Sequence, residues 1–459
     1  MIVLANFASA LAVDLREHAV VARWAEQAPR KIWLTRPGDV LLTPVPLSEP
    51  FARYACALTG VPRDSVRIVT VRDRPGVAMA ESVADTPGLT DELRALAAAR
   101  PGTRLLPIAL DASTFALAAA LGVPVSPCGR GGPAVGAEAL AVTELCNTKA
   151  GFRAVAERTG MRVPYGRTCS GPDLRETVRA VLRAAVSGRG VVKPDRSAGG
   201  HGLRFVGAED PLVAADGSGV DGRGVAGPDG LGSDGLGVDG RGVDGFGPDG
   251  FGPDAFASEG FGSDSRWTVE EYVPHTVSIS AQFVAAAGGP RPLFDGAMRT
   301  EDGSFTGYRA PLRGIVHPTV CDELRDWGMA LGRHLIAHGY RGPYDIDALV
   351  ATDGTLYATE SNVRRTATTT PYDLVVRLAR GTPVTWTTGT VRASVPYSFS
   401  AALDRLRDRA LDYDPERGDG VVLYADAPAD GVSWRYAILA RSARRLDELA
   451  ASLPSALQD

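Results

Sequence analysis

Lysine is the scarcest charged residue in this sequence of 459 residues, because only Lys31, Lys149 and Lys193 stand among its 49 lysines and arginines. No lysine follows a glycine, which excludes the GxxxxGKS or GxxxxGKT phosphate-binding loop of P-loop enzymes. Arginine can replace a lysine whose charge is solvated. A lysine that such a chain keeps therefore marks a place where a compact ammonium group is needed, unless it survived by chance.

Other absences narrow the class of protein. The sequence has no run of eighteen apolar residues, and its start, MIVLANF, lacks the basic segment of a signal peptide and predicts a buried strand. Its five cysteines are scattered without a CxxC pair, which favours reduced thiols over a disulfide framework or a zinc cluster. A net charge of −5 without basic runs disfavours nucleic acid. We therefore expect a cytoplasmic protein with no membrane or nucleic-acid partner, and a homo-oligomer stays open.

The two ends of the chain predict different architectures. Residues 1–140 alternate short apolar runs with helical patterns, which predicts an open, mostly parallel, Rossmann-like sheet. No glycine fingerprint follows its first strand, so we assign it no dinucleotide. Residues 385–459 predict a small α+β appendage. Between them, residues 147–160 predict a helix that Asn147 or Thr148 caps and Gly160 ends.

A low-complexity segment occupies residues 214–266, where pentads of the form G-x-D-G-x contain the GxGxxG pattern six times. A dinucleotide loop must follow a strand and begin a helix, and neither flanks these copies. Calcium-binding β-roll repeats have a nine-residue period, whereas the period here is five. A segment so rich in Gly, Pro and Asp cannot bury enough surface to offset its ordering entropy. We predict a disordered insertion and treat the six matches as false.

The most informative stretch, GPYDIDALVATDGTLYATESNVRR, predicts a β-hairpin that turns at Asp353-Gly354. A two-residue turn there places Asp347 opposite Glu360 and Asp345 opposite Asn362, on one face of the sheet. Facing carboxylates repel unless a cation lies between them. Oxygen ligands without cysteine or histidine favour Mg²⁺ or Mn²⁺ over zinc. The alternative is a solvated edge hairpin whose acids face water.

A second set of residues predicts a phosphate site. Lys193 ends the apolar strand GRGVVKP, and a loop of small residues follows it. The loop members are Ser197, Gly199, Gly200 and Gly202. Such a loop lets backbone N–H groups approach phosphate oxygens, although a glycine-rich hairpin turn is the alternative. Lys149, in the first turn of the predicted helix, supplies a second ammonium. The strand VEEYV at 269–273 is either a core strand with surface acids or one that offers its backbone to an adenine edge.

Five segments, taken in their order, resemble the ATP-grasp superfamily over about residues 145–370. They are NTK, VVKP, SAGGHG, VEEYV and the ExNxR pattern of residues 360–364. The resemblance implies an α/β and α+β multidomain protein. Its parts are a Rossmann-like pre-ATP-grasp domain at 1–140, an ATP-grasp domain at 141–380 and a small α+β domain at 385–459. The layout looks most like the pheganomycin-type peptide ligases, which join a nonproteinogenic carboxylic acid to the amino group of a peptide.

The resemblance also implies roles for individual residues. Lys149 and Lys193 would hold the α- and β-phosphates of ATP beneath the loop 197–202. Two further sets would be Glu270, Glu271 and Val273 for adenine, and Asp347, Glu360 and Asn362 for two Mg²⁺ (or Mn²⁺) ions. Arg364 would face an acyl phosphate.

Two positions depart from the family pattern. Many members carry an acid that contacts ribose a few residues after the strand that corresponds to VEEYV. Here PHTVS follows that strand, so His275 or Ser278 would have to take the place of the acid. Asp345 stands where some members carry a basic residue, which leaves Arg299 or Arg309 as candidates for stabilising the oxyanion.

The implied function is an ATP-dependent carboxylate–amine ligase that makes an amide through an acyl phosphate and releases ADP and phosphate. Its partners would be a small or nonproteinogenic carboxylic acid and an amine or peptide acceptor, in specialised peptide or antibiotic biosynthesis. Two alternatives stay open: activation of a carboxylate for another acceptor, such as a thiol, and an ATP-binding regulatory protein without turnover.

Overall fold

A computed structural model describes residues 1–72, 74, 76–197, 199–200, 202–210, 212–213, 265–301 and 303–458. Within these ranges no helix is both long enough and apolar enough to cross a membrane. Of the insertion predicted at 214–266, residues 214–264 lie outside the described residues, as do Ala198 and His201 of the predicted phosphate loop.

The N-terminal part is a parallel sheet of four strands in the order β3-β2-β1-β4. The strands are β1 (Ile2–Leu4), β2 (Val40–Thr43), β3 (Arg67–Thr70) and β4 (Leu105–Pro107). Its helices are α1 (His18–Ala25), α2 (Glu49–Leu58), α3 (Met79–Ala84), α4 (Leu89–Ala99), α5 (Ala112–Leu121) and α6 (Leu140–Cys146), with short 3-10 helices at Ala28–Leu34, Arg63–Ser65 and Ala137–Ala139. Every residue of β1, β2 and β4 is buried, as expected where helices cover both faces of a parallel sheet. The predicted Rossmann-like alternation is confirmed.

A smaller antiparallel sheet has the order β5-β8-β6-β7. Its strands are β5 (Gly166–Ser170), β6 (Gly190–Pro194), β7 (Arg204–Val206) and β8 (Arg266–Glu271), and its helices are α7 (Lys149–Arg158) and α8 (Leu174–Ala184). Leu174, Val178 and Val181 recur at helical spacing along α8 and are buried together with Val192 and Val269 of the sheet. This packing fixes the strand that carries Lys193.

The largest sheet has eight antiparallel strands in the order β13-β12-β9-β10-β11-β14-β16-β15. The strands are β9 (His275–Ala286), β10 (Gly289–Glu301), β11 (Ser304–Ala310), β12 (Gly342–Ala351), β13 (Leu356–Asn362), β14 (Thr385–Arg392), β15 (Gly420–Leu423) and β16 (Ser433–Ala440). The helices of this region are α9 (Pro318–Ala337), α10 (Thr369–Ala379), α11 (Phe399–Asp408) and α12 (Ala443–Gln458). The last three strands therefore continue the sheet that contains the predicted metal hairpin.

The two ends of the chain share one hydrophobic core. The Trp33 indole N–H donates to the Tyr424 carbonyl at 2.7 Å, and the rings of Phe51 and Phe399 lie 5.4 Å apart. The division into domains at 1–140, 141–380 and 385–459 stays a prediction.

Candidate active site

A cavity of about 1040 Å³ lies between the four-stranded sheet β5–β8, the eight-stranded sheet and the segment that contains α1. It is lined by all the residues predicted for phosphate, adenine and metal, and by Arg364. Pockets that bind one small molecule usually have volumes of roughly 300–1,000 Å³. This cavity is therefore large enough for a nucleotide together with part of a second molecule.

The β12–β13 hairpin places Asp347 opposite Glu360 and Asp345 opposite Asn362, which is the predicted register. The predicted two-residue turn, however, is wrong. The Ala351 N–H donates to the Thr355 carbonyl, so the turn has three residues, and Gly354 alone among them has a positive φ, at 85°. A bulge at Thr359 then removes the offset, because Ala348 pairs with Ala358.

Three acidic residues of this hairpin, Asp345, Asp347 and Glu360, have shifted pKa values, and the shifts differ in direction. Burial raises the pKa of Asp347, and the charges of Asp345 and Glu360 raise it further. Burial also raises the pKa of Asp345 to about 6, against hydrogen bonds from Gln282 and Asn362. Although burial alone would raise the pKa of Glu360, nearby cations led by Lys149 lower it.

These residues fit a divalent cation of the Mg²⁺ type. Among the described residues no three His, Cys, Asp or Glu side chains form a group that could hold a metal ion, and the predicted set has two carboxylates and the Asn362 amide. Mg²⁺ prefers oxygen ligands and usually completes its shell with water and substrate phosphates, so a partial protein shell suits it. Asp347 faces Glu360 across the hairpin, and burial together with the charges of Asp345 and Glu360 raises the pKa of Asp347, so a cation bound here would stabilise the ionised carboxylates.

The start of α7 positions Lys149. The Thr148 hydroxyl caps the helix by accepting from the Gly151 N–H at 3.1 Å, and an Asp195 carboxylate oxygen accepts from the Ala150 N–H at 2.8 Å. Lys149 Nζ donates to the carbonyl and hydroxyl of Ser197, at 3.0 and 2.9 Å, and lies 3.4 Å from a Glu360 oxygen. The ammonium thus joins the glycine loop to the metal hairpin.

Lys193 lies on β6, an inner strand of the small sheet. Its Nζ donates to a Glu270 carboxylate oxygen at 2.6 Å, and the other Glu270 oxygen accepts from Arg153 at 3.1 Å. Lys193 and Glu270 are both at least 92% buried, at 8% and 4% exposure. Lys193 also lines the cavity, and Glu270 would keep its bond to Arg153 if the lysine turned toward a phosphate oxygen.

The loop after β6 depends on glycine. Gly199, Gly200 and Gly202 have φ values of +64°, +85° and +69°, a conformation that other residues adopt only with strain. A Cβ atom on Gly200 would also clash with the carbonyl oxygen of Gly303 in the β10–β11 turn. The loop therefore packs closely against the β10–β11 turn of the large sheet.

The backbone of β8 is less available to a nucleotide than the sequence suggests. Both Glu270 and Glu271 pair with neighbouring strands, and the Glu271 N–H donates to the Tyr165 carbonyl. The Glu271 side chain accepts from the Tyr165 N–H at 3.0 Å. Val273 lies beyond the last paired residue of β8. Of the three predicted adenine contacts, it is therefore the one whose backbone is not paired within the sheet. It lines the cavity with apolar side chains that sequence reasoning missed: Phe205, Tyr272 and Leu349.

Both candidates for the ribose contact line the cavity. Ser278 Oγ lies 3.4 Å from His275 Nε2, and His275 Nδ1 lies 3.0 Å from the Val273 carbonyl. His275 and Ser278 follow Val273 closely in the sequence, and their side chains form one polar group beside it.

Arg364 is held by a residue that the sequence analysis treated only as a possible helix cap. Asn147 Oδ1 accepts from Arg364 Nη1 and from the Val363 N–H. Asp345 has a similar supporting role, because its Oδ1 accepts from the backbone N–H and the side-chain amide of Asn362, at 2.8 and 2.9 Å. The sequence offered one indication of this role, which is that Asn147 stands only two residues before Lys149.

Arg299 and Arg309 do not line the cavity. Strand alternation turns Met298 and Thr300 toward the cavity and Arg299 to the opposite face, where it donates to the Thr388 carbonyl. Arg309 forms an ion pair with Asp447 at the surface, at 2.6 Å. Both arginines therefore lie outside the cavity lining, where they do not meet an oxyanion formed in the cavity, contrary to the prediction.

Two segments match known domain families. Residues 28–123 match the pre-ATP-grasp domain, and residues 401–453 match the PGM1 C-terminal domain. A search of curated protein sequences found no match.

Solved structures of similar fold cover nearly the whole chain. The N5-carboxyaminoimidazole synthase of Aspergillus clavatus, in complex with ADP and 5-aminoimidazole ribonucleotide, is 12% identical, with a TM-score of 0.53 over 93% of this chain and 99% of its own. The L-amino acid ligase of Bacillus licheniformis is 14% identical, with a TM-score of 0.50 over 92% and 99%. The biotin carboxylase domain of the Hydrogenobacter thermophilus 2-oxoglutarate carboxylase, in complex with MgADP and bicarbonate, is 12% identical, with a TM-score of 0.54 over 98% and 88%.

The chain has an ATP-grasp fold that follows a pre-ATP-grasp domain. At these identities the likeness establishes the fold. In this ATP-grasp fold the cavity opens between the two antiparallel sheets, and α1 with the 3-10 helix Ala28–Leu34 of the pre-ATP-grasp domain contributes a further wall.

Proposed function

We propose that this protein is an ATP-dependent ligase that activates a carboxylate as an acyl phosphate and transfers the acyl group to an amine. The supporting observation is that one cavity holds Lys149 and Lys193, the facing pair Asp347 and Glu360, and Arg364. Two ammonium groups suit a polyphosphate, and the carboxylate pair suits the cation that accompanies it.

ATP with Mg²⁺ is the proposed cofactor pair. Two of the similar structures contain ADP or MgADP according to their descriptions, and this chain shares their fold. Asp347, Glu360 and Asn362 would hold Mg²⁺ or Mn²⁺. When bound, the ion would neutralise phosphate charge. Lys149 and Lys193 would leave their carboxylate partners for phosphate oxygens, and Val273 with Phe205 and Tyr272 would enclose the adenine.

The proposed chemistry has two steps. A carboxylate oxygen of the acid substrate attacks the γ-phosphorus, the bond to the β,γ-bridging oxygen breaks, and ADP leaves. The amine nitrogen then attacks the acyl carbon, the carbon–oxygen bond to phosphate breaks, and the amine gives up a proton. Arg364, which donates to Asn147, would stabilise the oxyanion of this second step. No protein nucleophile is needed.

We further propose that the product is a peptide or other amide of specialised metabolism, as in the pheganomycin-type ligases that the sequence resembles, and that the enzyme works in the cytoplasm. An acceptor other than an amine, such as a thiol, and an ATP-binding protein without turnover are the competing proposals. The second is disfavoured because binding alone does not need Asp347, Glu360 and Arg364 together.

The test is to incubate the full-length protein with ATP, Mg²⁺ and a panel of carboxylic acids combined with amines and peptides. We expect ADP and phosphate to form only when an acid is present, with an amide product when an amine is added. Formation of AMP and pyrophosphate would overturn the acyl-phosphate step. Thioester in place of amide would favour the thiol acceptor, and ATP binding without any turnover would favour the regulatory protein.

A further inference from the structure

Part of the cavity wall is not used by the proposed phosphate and metal chemistry. Arg30, Tyr424 and Arg435, here called the arginine end, all line the cavity. Arg30 lies in the 3-10 helix Ala28–Leu34 of the N-terminal part, whereas Tyr424 directly follows β15 and Arg435 lies on β16. This end is therefore built from opposite termini of the chain, at the interface that shares a core.

Arg30 is a buried charge with neutral partners. It is 2% exposed, and its guanidinium donates to the Gln27 side chain and to the Tyr424 hydroxyl, the latter at 3.2 Å. Within the described part of the chain it forms no ion pair with a carboxylate. Burial lowers the pKa of Arg30 to about 10, and the charge of Arg435 adds to the effect. A buried charge normally has an opposite charge beside it, so this guanidinium lacks an anion.

The arginine end lies far from the predicted metal hairpin along the large sheet. Asp347 is on β12 and Arg435 is on β16, five strand positions away. At a spacing of about 4.8 Å that separation is roughly 24 Å along the sheet, and the curvature of the sheet shortens it through space. The carboxylate that reacts with ATP must lie beside the γ-phosphate, so an anion at the arginine end is a different group.

Two aromatic side chains line the cavity, one beside Lys31, the chain neighbour of Arg30, and one beside Gly199 of the glycine loop. The rings of Phe7 and Trp24 lie 5.2 Å apart, and both line the cavity. Glu17 also lines it, from an exposed position in which water screens its charge. An anionic group with an apolar neighbour therefore fits this wall best.

We propose that Arg30 and Arg435 bind a carboxylate group of the amine substrate, and that this carboxylate takes no part in the reaction. This inference rests on the proposed ligase function and specifies its acceptor as an amino acid or peptide with a free carboxyl group. Its amine would reach the acyl phosphate near Arg364 while its carboxylate is held at the arginine end. A planar guanidinium pairs with a carboxylate through two hydrogen bonds, which gives orientation as well as affinity. Because an extended chain spans about 3.3 Å per residue, a peptide fits the separation better than one amino acid.

The test measures binding apart from turnover. Peptides of two to five residues, each with its C-terminal amide as the matched partner, are titrated calorimetrically into the full-length protein with Mg²⁺ and a non-hydrolysable ATP analogue. We expect at least one free-acid peptide to bind about tenfold more tightly than its amide. Arg435→Gln and Arg30→Gln should reduce that ratio to about one, and Arg444→Gln, on the exposed face of α12, should keep it. If Arg30→Gln does not fold, Arg435→Gln decides the question.

The proposal is overturned if no free-acid peptide is preferred over its amide, or if Arg435→Gln keeps the preference. It is also overturned if only the acid donors respond to the variant. ADP release, measured in parallel samples that contain ATP and a carboxylic acid in place of the analogue, separates the two proposals. ADP formed equally with acid and amide peptides retains the ligase and removes the carboxylate site, whereas preferential binding without ADP retains the site and removes the ligase.

Discussion

All three lysines of the chain are buried, with exposures of 1% for Lys31 and 8% for Lys149 and Lys193. Lys149 and Lys193 line the cavity. Lys31 donates from Nζ to the Thr370 hydroxyl at 2.7 Å and lies 4.9 Å from the centre of the Phe7 ring. At Lys31 the larger, planar guanidinium of arginine would displace packed neighbours, so the survival of this lysine in an arginine-rich sequence has a steric reason. Lys149 and Lys193 face the cavity, so size alone does not explain why they are retained.

The burial of Lys31 predicts how stability depends on pH. Burial lowers the pKa of Lys31, and the charge of Arg30 lowers it further. The unfolded chain keeps the pKa near 10.4, so it binds more protons than the folded chain between the lowered value and about pH 10.4. The free energy of unfolding that this group controls therefore rises with pH through that range, and its destabilising effect is complete below the folded pKa.

We expect Lys31→Met to raise the free energy of unfolding by about 1 kcal/mol at pH 7, since removing the charge offsets the lost bond to Thr370. The gain over wild type should shrink toward pH 10. Urea unfolding at pH 7 and pH 9.5 measures it. Lys31→Leu is a second apolar variant with the same expected trend. A gain that is constant or grows with pH would contradict the argument.

Glu360 carries a second prediction at this scale. Glu360→Gln keeps the shape of the side chain and removes the charge that faces Asp347, so ATP turnover should fall by about 100-fold or more and the Mg²⁺ requirement should rise. Glu323→Gln is the control, because Glu323 is an exposed residue that pairs with Arg162 at the surface. Rates measured across a Mg²⁺ titration provide the readout. An unchanged rate in a folded Glu360→Gln protein would exclude the metal assignment.

At the scale of elements, the β12–β13 hairpin shows which part of a prediction local sequence can support. The Asp353-Gly354 dipeptide marks the turn, and facing residues at the site were predicted in the right pairs. The turn type was wrong, because Asp353 keeps an ordinary φ and the turn holds three residues. The bulge that restores the register is held by the Thr359 hydroxyl, which donates to the Asp347 carbonyl. No local sequence pattern predicts this hydrogen bond from Thr359.

Supporting side chains were predicted less well than the groups they support. Gln282 donates to Asp345 across 63 residues of sequence, and Asn147 holds Arg364 across 217. Partners so far apart come together only through the order of the strands. A single sequence without that order cannot reveal them.

The glycine loop predicts a contrast between two neighbouring substitutions. Gly199 and Gly200 both have positive φ, so an alanine at either position costs about 1–2 kcal/mol of backbone strain. A methyl group on Gly200 also meets the Gly303 carbonyl, whereas the nearest atom to one on Gly199 is 4.0 Å away, on Trp24. We expect Gly200→Ala to raise the KM for ATP about tenfold more than Gly199→Ala does. Steady-state kinetics of both variants measure this, and equal effects would exclude the packing argument.

At the scale of the whole molecule, alternation of strands and helices was sufficient to predict the N-terminal sheet. The continuation of the large sheet into β14, β16 and β15 was not predicted, nor was the core shared by both ends of the chain. The bond between Trp33 and Tyr424 spans 391 residues. Periodicity reports which residues are buried within an element but not which distant element buries them.

The glycine-rich segment supports the last prediction. Residues 214–264 lie outside the described residues, and the strands on either side are β7 and β8, which both pair with β6. Both strands run antiparallel to β6, so they are parallel to each other, and a connection must return along the sheet by about 15 Å as well as cross about 10 Å. About twelve Gly and Ser residues are long enough to join residue 213 to residue 265. Because every GxGxxG copy lies in this segment and none of them has the flanking strand and helix of a dinucleotide loop, we expect the shortened protein to keep ATP turnover within about twofold. Circular dichroism confirms folding, and loss of turnover in a folded protein would show that the repeat takes part in the reaction.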